Sequence, residues 1–566
     1  MASALFSLID KFNLFSDQPT SDSDAKITWL RSQIIGSDSE FDSPFGRRKI
    51  TYCDFTASGR FLTVIEDYLR AHVLPFYGNT HTGDSYVGLH TSQMAQQASK
   101  YVKECMGAGS NDVLFFCGSG CTASIKRLQE VMGITVPPIL RSTVLSYLPE
   151  SERWVVYIGP YEHHSNLLSW RQSLAHVVQI TLDGSGQIDI HALEMSLKDP
   201  VYAGRPKLGS FSACSNITGF HTDTRAIARV LHENGAFACF DYACSAPYVD
   251  IQMRSGRSDG YDAIFLSPHK FLGGPGSPGM LLMSDSLYRL KDSPPSTSGG
   301  GTVVYVAYNE KDTLYCEDLE EREDAGTPAI VQKIRTALAF RVKEYIGHDL
   351  IRDREAYLSK KIMEKLSSND KIFVLGNLTD ERQPIVSFLI YPEGARRGKH
   401  LHCRFVTILL NDLFGIQARG GCACAGPYAH ALLGISSDRS QQIRYLIEQG
   451  YEGVKPGFTR VSIGYCSSEE ETDFVLDAVD FVARYGERFL SLYRFDWKTG
   501  DWHYTDDHCN KTIGITARRN QSGNGSDEKY DEYMSLAMSL LDILPVGHAM
   551  TPVPADIGPE TLTFIT

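Results

Sequence analysis

Between about residues 50 and 330, short apolar runs alternate with segments in which apolar residues recur every three or four positions. Runs of four to six apolar residues are typical of buried strands, and the wider spacing is typical of amphipathic helices. Strand–helix alternation of this kind predicts a mostly parallel sheet covered by helices on both faces. The predicted strands are residues 113–116, 154–158, 208–213, 237–241 and 263–266, and the predicted helices are residues 123–132, 166–175 and 223–233.

After residue 330 the pattern changes. Two helical segments, 330–345 and 353–366, precede a mixture of strand-like and helix-like runs. The mixture predicts a smaller α+β domain over residues 331–496, behind a large α/β domain over residues 50–330.

The two ends of the chain differ from this pattern. Residues 1–49 mix a short amphipathic opening with stretches rich in serine and aspartate, and we expect a peripheral segment there. Residues 497–566 form an extension, in which residues 517–529 predict a flexible linker and residues 530–544 predict one amphipathic helix.

Composition narrows the class of protein. The net charge is −13 and the pI is near 5.7, so nucleic acid and anionic membrane surfaces would be repelled. No apolar stretch approaches the roughly 20 residues that span a bilayer, and the start lacks a basic targeting region. The thirteen cysteines are an odd number and mostly stand singly, which favours reduced thiols. We therefore expect a cytoplasmic enzyme that binds neither nucleic acid nor membrane.

The candidate chemistry begins with a lysine at a predicted strand end. Lys270 follows the run 263–266 and precedes a glycine-rich turn, so one amine lies at the edge of a buried sheet, where it can form a Schiff base. Asp241 ends the run 237–241 in the same way. Pyridoxal phosphate (PLP) needs a lysine for its aldehyde and a carboxylate for its ring nitrogen, and the pair therefore predicts PLP.

A glycine-rich turn before a predicted helix supplies a candidate phosphate cup. Cys121 and Thr122 stand at that helix start, where free backbone N–H groups suit a phosphate. Ser267 and His269 could reach the same phosphate from the lysine loop. Alone, such a turn is common and would be structural.

Two further residues follow predicted strands. The ring of His163 could stack on the pyridine face and relay protons, although the cluster around it could equally cap a helix. Asn216 could donate a hydrogen bond to a cofactor oxygen or to a substrate carboxylate, although an asparagine in a turn is more often structural.

The predicted small domain carries arginines and thiols. Arg460 is a candidate for binding a substrate carboxylate through a bidentate guanidinium. Arg419 precedes Cys422 and Cys424 on a glycine-rich loop, where nearby positive charge favours the thiolate. No second cysteine pair at zinc-finger spacing accompanies them, so we expect no metal site. If the loop is extended, these two thiols point in opposite directions and one of them faces the site.

These residues resemble the class V aminotransferase family of fold-type I PLP-dependent enzymes, within it the cysteine desulfurase/selenocysteine lyase branch, over about residues 50–490. The family's ordered motifs are matched by Glu162–Asn166, Ser215–Gly219, Ser267–Lys270, Ala325–Pro328 and Arg460–Ser462. Cys424 stands five residues after Arg419, as the persulfide cysteine does in the group II desulfurases. One departure is Cys244, which stands where the family usually has a glutamine beside the cofactor's phenolic oxygen.

The resemblance implies roles for these residues. Lys270 would carry the cofactor, Asp241 would bond its ring nitrogen, His163 would stack on the ring and Arg460 would anchor the substrate carboxylate. In the family the threonine that is Thr327 here reaches the phosphate of the partner subunit, which implies a homodimer.

The resulting hypothesis is a cysteine desulfurase that removes sulfur from L-cysteine through a Cys424 persulfide, leaves alanine and passes the sulfur to an acceptor protein. The alternatives are a PLP-dependent aminotransferase or lyase acting on another amino acid, with Cys424 structural, and a non-catalytic scaffold of the same fold.

Overall fold

The structure is a computed structural model that describes residues 22–309, 312–378, 381–394, 396–505, 526–544, 551–558 and 561–565. The chain divides into two compact units. Unit 1 contains the described residues of Met1–Ile35, Ala57–Ser215 and His221–Arg352. Unit 2 contains those of Gly36–Thr56, Asn216–Phe220 and Asp353–Thr566.

Unit 1 is built on a seven-stranded sheet. Strand Gly279–Ser284 runs antiparallel to both of its neighbours, and the other neighbouring pairs are parallel. Most of the central positions are fully buried, because helices cover the sheet and demand apolar side chains on both faces. From edge to edge the strands are Asp112–Cys117, Gly279–Ser284, Ala263–Leu266, Ala236–Asp241, Lys207–Ser212, Val155–Ile158 and His176–Gln179.

The helices of unit 1 follow the strands in sequence, as the alternating pattern predicts. Asp223 illustrates the local signal, because its side chain accepts the N–H of Ala226 and caps the helix that begins at Thr224. A hairpin of strands Val303–Val306 and Thr313–Tyr315 also belongs to this unit. The α-helices are Ser23–Ser32, Thr63–Tyr68, Tyr86–Cys105, Gly120–Val131, Pro138–Tyr147, His164–Arg171, Ile190–Leu197, Thr224–Glu233, Leu319–Arg322 and Ile330–Ile346.

Unit 2 has a four-stranded antiparallel sheet. Its strands lie in the order Ile372–Val374, Ile385–Ile390, Phe458–Ser462 and Arg419–Gly421. Shorter pairs join Glu40–Ser43 to Gly46–Lys49, Thr51–Tyr52 to Ile416–Gln417, His400–Leu401 to Phe564–Ile565, and Tyr493–Phe495 to Trp502–Tyr504. The remaining α-helices are His348–Ser367, in which the division between the units falls, Cys403–Phe414, Gly426–Leu432, Ser437–Glu448, Glu469–Tyr485 and Ser526–Leu541.

The fold class expected from the sequence is confirmed: a mostly parallel α/β sheet and a smaller α+β unit are both present. None of the described helices combines the length and apolar content that crossing a bilayer requires.

The unit boundaries differ from the expected domains in several places. Residues 50–56 and 216–220, expected in the large domain, belong to unit 2. Helix Ile330–Ile346 belongs to unit 1, where it packs on helix Tyr86–Cys105, so the change of unit comes after residue 352 rather than residue 330. Residues 36–49, expected to be peripheral, belong to unit 2 and bury Phe45 and Arg48 completely. The segment is rich in serine and aspartate, so its average polarity predicts exposure although two of its side chains are buried.

The C-terminal extension belongs to unit 2 as well. Tyr530 stacks on Phe474 with ring centroids 4.1 Å apart, and Tyr533 lies 4.5 Å from the guanidinium of Arg48. The predicted helix is present and starts at Ser526, inside the expected linker. Residues 517–525 of that linker lie outside the described residues.

Arg48 is the most demanding of these buried groups. Its guanidinium donates to the carbonyl oxygens of Leu413, Arg47 and Phe45, at 2.5, 2.9 and 3.0 Å. Burial lowers the pKa of Arg48 to about 10. The buried cation ties its own segment, residues 45–48, to the end of helix Cys403–Phe414, and each carbonyl oxygen offsets part of its desolvation.

We predict that Arg48→Met lowers the free energy of unfolding by about 2–4 kcal/mol, because three carbonyl oxygens, two of them buried, each lose a donor. The matched control is Arg47→Met, since Arg47 is 67% exposed and ion-paired with Glu40, and a surface pair of this kind contributes less than about 1 kcal/mol. Denaturant unfolding followed by tryptophan fluorescence measures both. Equal losses in the two variants would contradict the role of Arg48.

Candidate active site

Asp241 and Lys270 lie at the same edge of the large sheet. Strand Ala236–Asp241 pairs in parallel with strand Ala263–Leu266, and Asp241 is opposite Phe265. The carboxyl ends of parallel strands collect function in such sheets. Lys270 follows in the short turn Pro268–Lys270 and is half-buried. Within the described part of the chain, its Nζ makes no hydrogen bond or ion pair.

The carboxylate of Asp241 is almost fully buried. Burial raises the pKa of Asp241, and the N–H of Ala243, at 2.8 Å, together with the charge of Lys270, opposes that rise. The N–H of Ala243 and the side chain of Cys121 are its donors, and they leave acceptor capacity on the carboxylate. A protonated ring nitrogen is a group that would use this capacity, and in this respect the site fits a pyridine cofactor.

The predicted phosphate cup is assembled around Gly120. The backbone N–H of Cys121, in the first turn of helix Gly120–Val131, donates to Oγ of Ser267 at 2.9 Å. Gly120 has φ of 55°, and a Cβ placed there would lie 2.9 Å from Oγ of Ser267 and 3.7 Å from Nε2 of His269. Glycine therefore leaves the space in which the hydroxyl, the imidazole and the helix start meet. The space and its donors fit a phosphate.

Two more polar groups complete this part of the site. Oγ1 of Thr122 lies 2.6 Å from Oγ of Ser165. Burial, with the charge of Lys270, lowers the pKa of His269 to about 4, so the ring is neutral at physiological pH and keeps one N–H to donate.

His163 caps helix His164–Arg171. Its Nδ1 accepts the backbone N–H of Ser165 at 3.1 Å, so a neutral ring carries its proton on Nε2. The structure thus contains the capping role that the sequence left open as an alternative. Capping fixes the orientation of the ring.

Glu162 supports this turn, and in the sequence it was named only as the first residue of the motif Glu162–Asn166. Its two oxygens accept hydrogen bonds from the backbone N–H groups of Gly159 and Ser212, from Oγ of Ser212 and from Nδ2 of Asn166. Burial raises the pKa of Glu162 to about 7 despite these donors. The signal in the sequence was the acidic first residue of that motif, four residues after the predicted strand 154–158.

Thr327 is exposed and lies apart from these groups. Its Oγ1 accepts a hydrogen bond from Nδ2 of Asn79 at 3.2 Å. Among the described residues, no hydrogen bond joins Thr327 to the cup.

Unit 2 brings together the two predicted arginines, and a carboxylate that the sequence analysis missed joins them. Oδ1 of Asp54 lies 2.7 Å from Arg460, and Oδ2 lies 2.9 Å from Arg419. Arg460 is almost fully buried and also donates to the carbonyl oxygen of Asn216 at 2.9 Å. Its Nε has no partner among the described residues. The missed signal was the position of Asp54, directly after the short apolar segment that forms strand Thr51–Tyr52.

The segment that carries the two thiols is a turn and not an extended strand. The N–H of Ala425 donates to the carbonyl oxygen of Cys422 at 3.2 Å, and Ala423 and Cys424 have φ of 49° and 57°. The loop is therefore not extended, and the condition under which the two thiols would point in opposite directions is not met. Two non-glycine residues in the left-handed region cost of order 1–3 kcal/mol each, and neighbouring contacts must supply that energy.

The environments of the two thiols differ. Sγ of Cys422 is half-buried and donates to the carbonyl oxygen of Pro456 at 2.8 Å, and burial raises the pKa of Cys422 to about 11. Cys424 is exposed. The accessible thiol is thus the one at the five-residue spacing from Arg419.

The predicted site residues therefore form two groups. In unit 1 these are Cys121, Thr122, His163, Asp241, Ser267, His269 and Lys270, with Thr327 separate. In unit 2 they are Asn216, Arg419, Cys424 and Arg460, of which Asp54 joins the two arginines and Asn216 contacts Arg460 and the residue before Cys424.

Comparison with known proteins identifies the family. The model of the class-V aminotransferase family matches residues 51–475. The chain belongs to this family.

Several proteins and solved structures that are similar to this chain are named cysteine desulfurases. Proteins named probable cysteine desulfurase from Streptomyces coelicolor and Staphylococcus aureus are each 26% identical, over 77% and 70% of this chain and 93% and 88% of their own lengths. A cysteine desulfurase of Thermococcus onnurineus, solved in its apo form, has a TM-score of 0.62 at 22% identity, covering 81% of this chain and 98% of its own. One from Escherichia coli has a TM-score of 0.59 at 20% identity, covering 80% and 97%. These structures share the fold.

We predict that iodoacetamide at neutral pH labels Cys424 at least about 10-fold faster than Cys422, because the Cys422 thiol is half-buried and its pKa is about 11. Labelling of Cys422 should rise with pH, since its thiolate fraction grows up to that value. Peptide mass spectrometry measures both rates, and the buried Cys239 serves as the unlabelled reference. Faster labelling of Cys422 would contradict the difference in environment.

Proposed function

We propose that this protein is a PLP-dependent cysteine desulfurase, which converts L-cysteine to alanine and holds the released sulfur as a persulfide on Cys424. The observation that carries the proposal is the exposed Cys424 thiol on a strained turn in unit 2, in a chain whose similar proteins are named cysteine desulfurases.

The residues of unit 1 are proposed to hold the cofactor. The helix start at Gly120–Thr122, Ser267 and His269 would bind its phosphate, Asp241 would bond its ring nitrogen and His163 would stack on its ring. The amine of Lys270 is the attachment point for the aldehyde. When bound, PLP supplies an electron sink for the substrate carbon skeleton.

The chain's own residues have separate tasks in this proposal. Arg460 binds the substrate α-carboxylate through its guanidinium, and Asp54 orients that guanidinium. Lys270 or His163 moves the proton at the substrate's Cα, the histidine through Nε2, because Nδ1 is occupied by the N–H of Ser165.

Cys424 is the proposed nucleophile. Its thiolate attacks the sulfur of the bound cysteine, so that an S–S bond forms while the substrate's Cβ–S bond breaks. The bonding electron pair stays with the carbon skeleton, which leaves as alanine after protonation. The product on the enzyme is a Cys424 persulfide, whose outer sulfur can pass to a thiol of an acceptor protein.

The homodimer and the cytoplasmic location also belong to the proposal. The homodimer rests on the resemblance of Ala325–Pro328 to the family motif whose threonine reaches the partner subunit's cofactor. The exposed position of Thr327 agrees with a role outside its own cup. The alternative is an aminotransferase or lyase on another amino acid, and Cys244, in place of the family's glutamine, is the residue that favours it.

We predict that the purified protein, supplied with PLP, is yellow and that borohydride reduction leaves a pyridoxyl label on Lys270. The reason is that Lys270 is the strand-end amine beside Asp241 and its Nζ is not engaged by another described group. Peptide mapping locates the label. A label elsewhere, or no visible absorbance after PLP is added, would remove the cofactor assignment.

The second prediction concerns the nucleophile. Cys424→Ala should abolish sulfide production from L-cysteine while the visible spectrum of the bound cofactor stays intact. Cys422→Ala is the matched control two residues away, and it should change the rate only modestly, because Cys422 is half-buried against Pro456. Sulfide and alanine are assayed together. Full activity in Cys424→Ala would move the chemistry to Cys422 or to the aminotransferase alternative.

A further inference from the structure

The turn that presents Cys424 is held by a contact from a distant part of the sequence. Nδ2 of Asn216 donates to the carbonyl oxygen of Ala423 at 2.6 Å. Ala423 is the residue immediately before Cys424, and its φ of 49° begins the left-handed pair. The side-chain amide of Asn216 therefore hydrogen-bonds to the Ala423–Cys424 peptide unit, whose conformation sets the direction of the Cys424 thiol.

Asn216 is itself held firmly. It is 8% exposed, and its carbonyl oxygen accepts a hydrogen bond from the guanidinium of Arg460 at 2.9 Å. Arg460 is in turn held by Asp54 at 2.7 Å. One continuous series of hydrogen bonds within unit 2 thus runs from the proposed carboxylate anchor to the turn that carries the proposed nucleophile.

The turn needs such support. Alanine and cysteine have a Cβ that disfavours positive φ, whereas glycine would adopt these angles at little cost. Within the turn, the observed bond from the N–H of Ala425 to the carbonyl oxygen of Cys422 is long, at 3.2 Å, for a hydrogen bond that must stabilise two strained residues. The shorter bond from Asn216 adds a constraint that the turn cannot supply from its own atoms.

From these contacts we infer that Asn216 is a positioning residue, which holds the Ala423–Cys424 turn in its left-handed conformation and so fixes where the Cys424 thiol points. The inference rests on the proposed function, since positioning matters only if Cys424 reacts. It differs from the expectation that the amide of Asn216 binds cofactor or substrate, because it assigns one of the two N–H donors of that amide to the turn.

Hydrogen exchange on the full-length protein, without substrate, tests the contact directly. In Asn216→Ala, the backbone amide of Ala425 should exchange about 10-fold faster than in the wild type, because the turn loses its external hydrogen bond. Adding Ala423→Gly to this variant should restore most of the protection, since glycine removes the need for support at that position. Unchanged exchange of the Ala425 amide in Asn216→Ala would overturn the inference.

Asn369→Ala is the matched control. Asn369 is an equally buried asparagine of unit 2, and its Nδ2 donates to Asp480 rather than to the turn. It should leave exchange at Ala425 unchanged, and faster exchange there would mean that the assay reports general loosening of unit 2.

Ala423→Gly alone covers the case in which Asn216→Ala does not fold: the Ala425 amide should then stay at least as protected as in the wild type. Loss of its protection in that variant would overturn the inference.

Kinetics supply the second readout. For sulfide release from L-cysteine, Asn216→Ala should lower kcat by about 100-fold with little change in KM, and Ala423→Gly should recover part of that loss. A raised KM with unchanged kcat would instead assign Asn216 to substrate binding and overturn the positioning role. If the wild type releases no sulfide, the proposed function fails, while the exchange experiment still decides whether Asn216 holds the turn.

Discussion

The parallel pairing of strand Ala236–Asp241 with strand Ala263–Leu266 is the constraint on which the proposed chemistry of unit 1 depends. It places a buried carboxylate and the turn that carries Lys270 at one sheet edge, where a single small molecule can contact both. Every residue of strand Ala263–Leu266 is buried, so its backbone N–H and C=O groups have no water to bond and must pair with the neighbouring strands. The glycine at 120 then leaves room beside the same edge for Ser267 and His269 to meet a helix start.

In unit 2 the corresponding constraint is a carboxylate shared by two arginines. Its antiparallel sheet places Arg419 opposite Arg460 on neighbouring strands, and two guanidinium groups this close would repel one another without a shared counter-ion. Asp54 supplies that counter-ion with one oxygen for each arginine. The neighbouring turn stores backbone strain at the position of an exposed thiol, and strain of this kind persists where surrounding contacts determine the conformation.

The fold and most of the unit 1 site could be predicted from the sequence because the signals are local. The apolar run that ends in Asp241, and the run 263–266 that precedes Lys270, each predict a buried strand and its polar end. The role of Asp54 could not be predicted in this way. It depends on contact with Arg460, about 400 positions further along the chain, and no local pattern indicates which distant segments pair. The turn at Cys424 was also missed, since alanine and cysteine carry no sequence signal for positive φ. Residues 36–49 were expected to be peripheral because of their polar composition. Two of their side chains, Phe45 and Arg48, are nevertheless completely buried.

The central claim is that sulfur from L-cysteine passes to Cys424, and the mass of the protein after reaction tests it most directly. The purified protein with PLP is mixed with L-cysteine in the absence of reductant, quenched in acid and digested for peptide mass spectrometry. The account predicts one added sulfur atom on the peptide that carries Cys424, located on that residue by fragmentation, together with alanine in solution. A protein that consumes cysteine while every cysteine-containing peptide keeps its original mass would contradict the account.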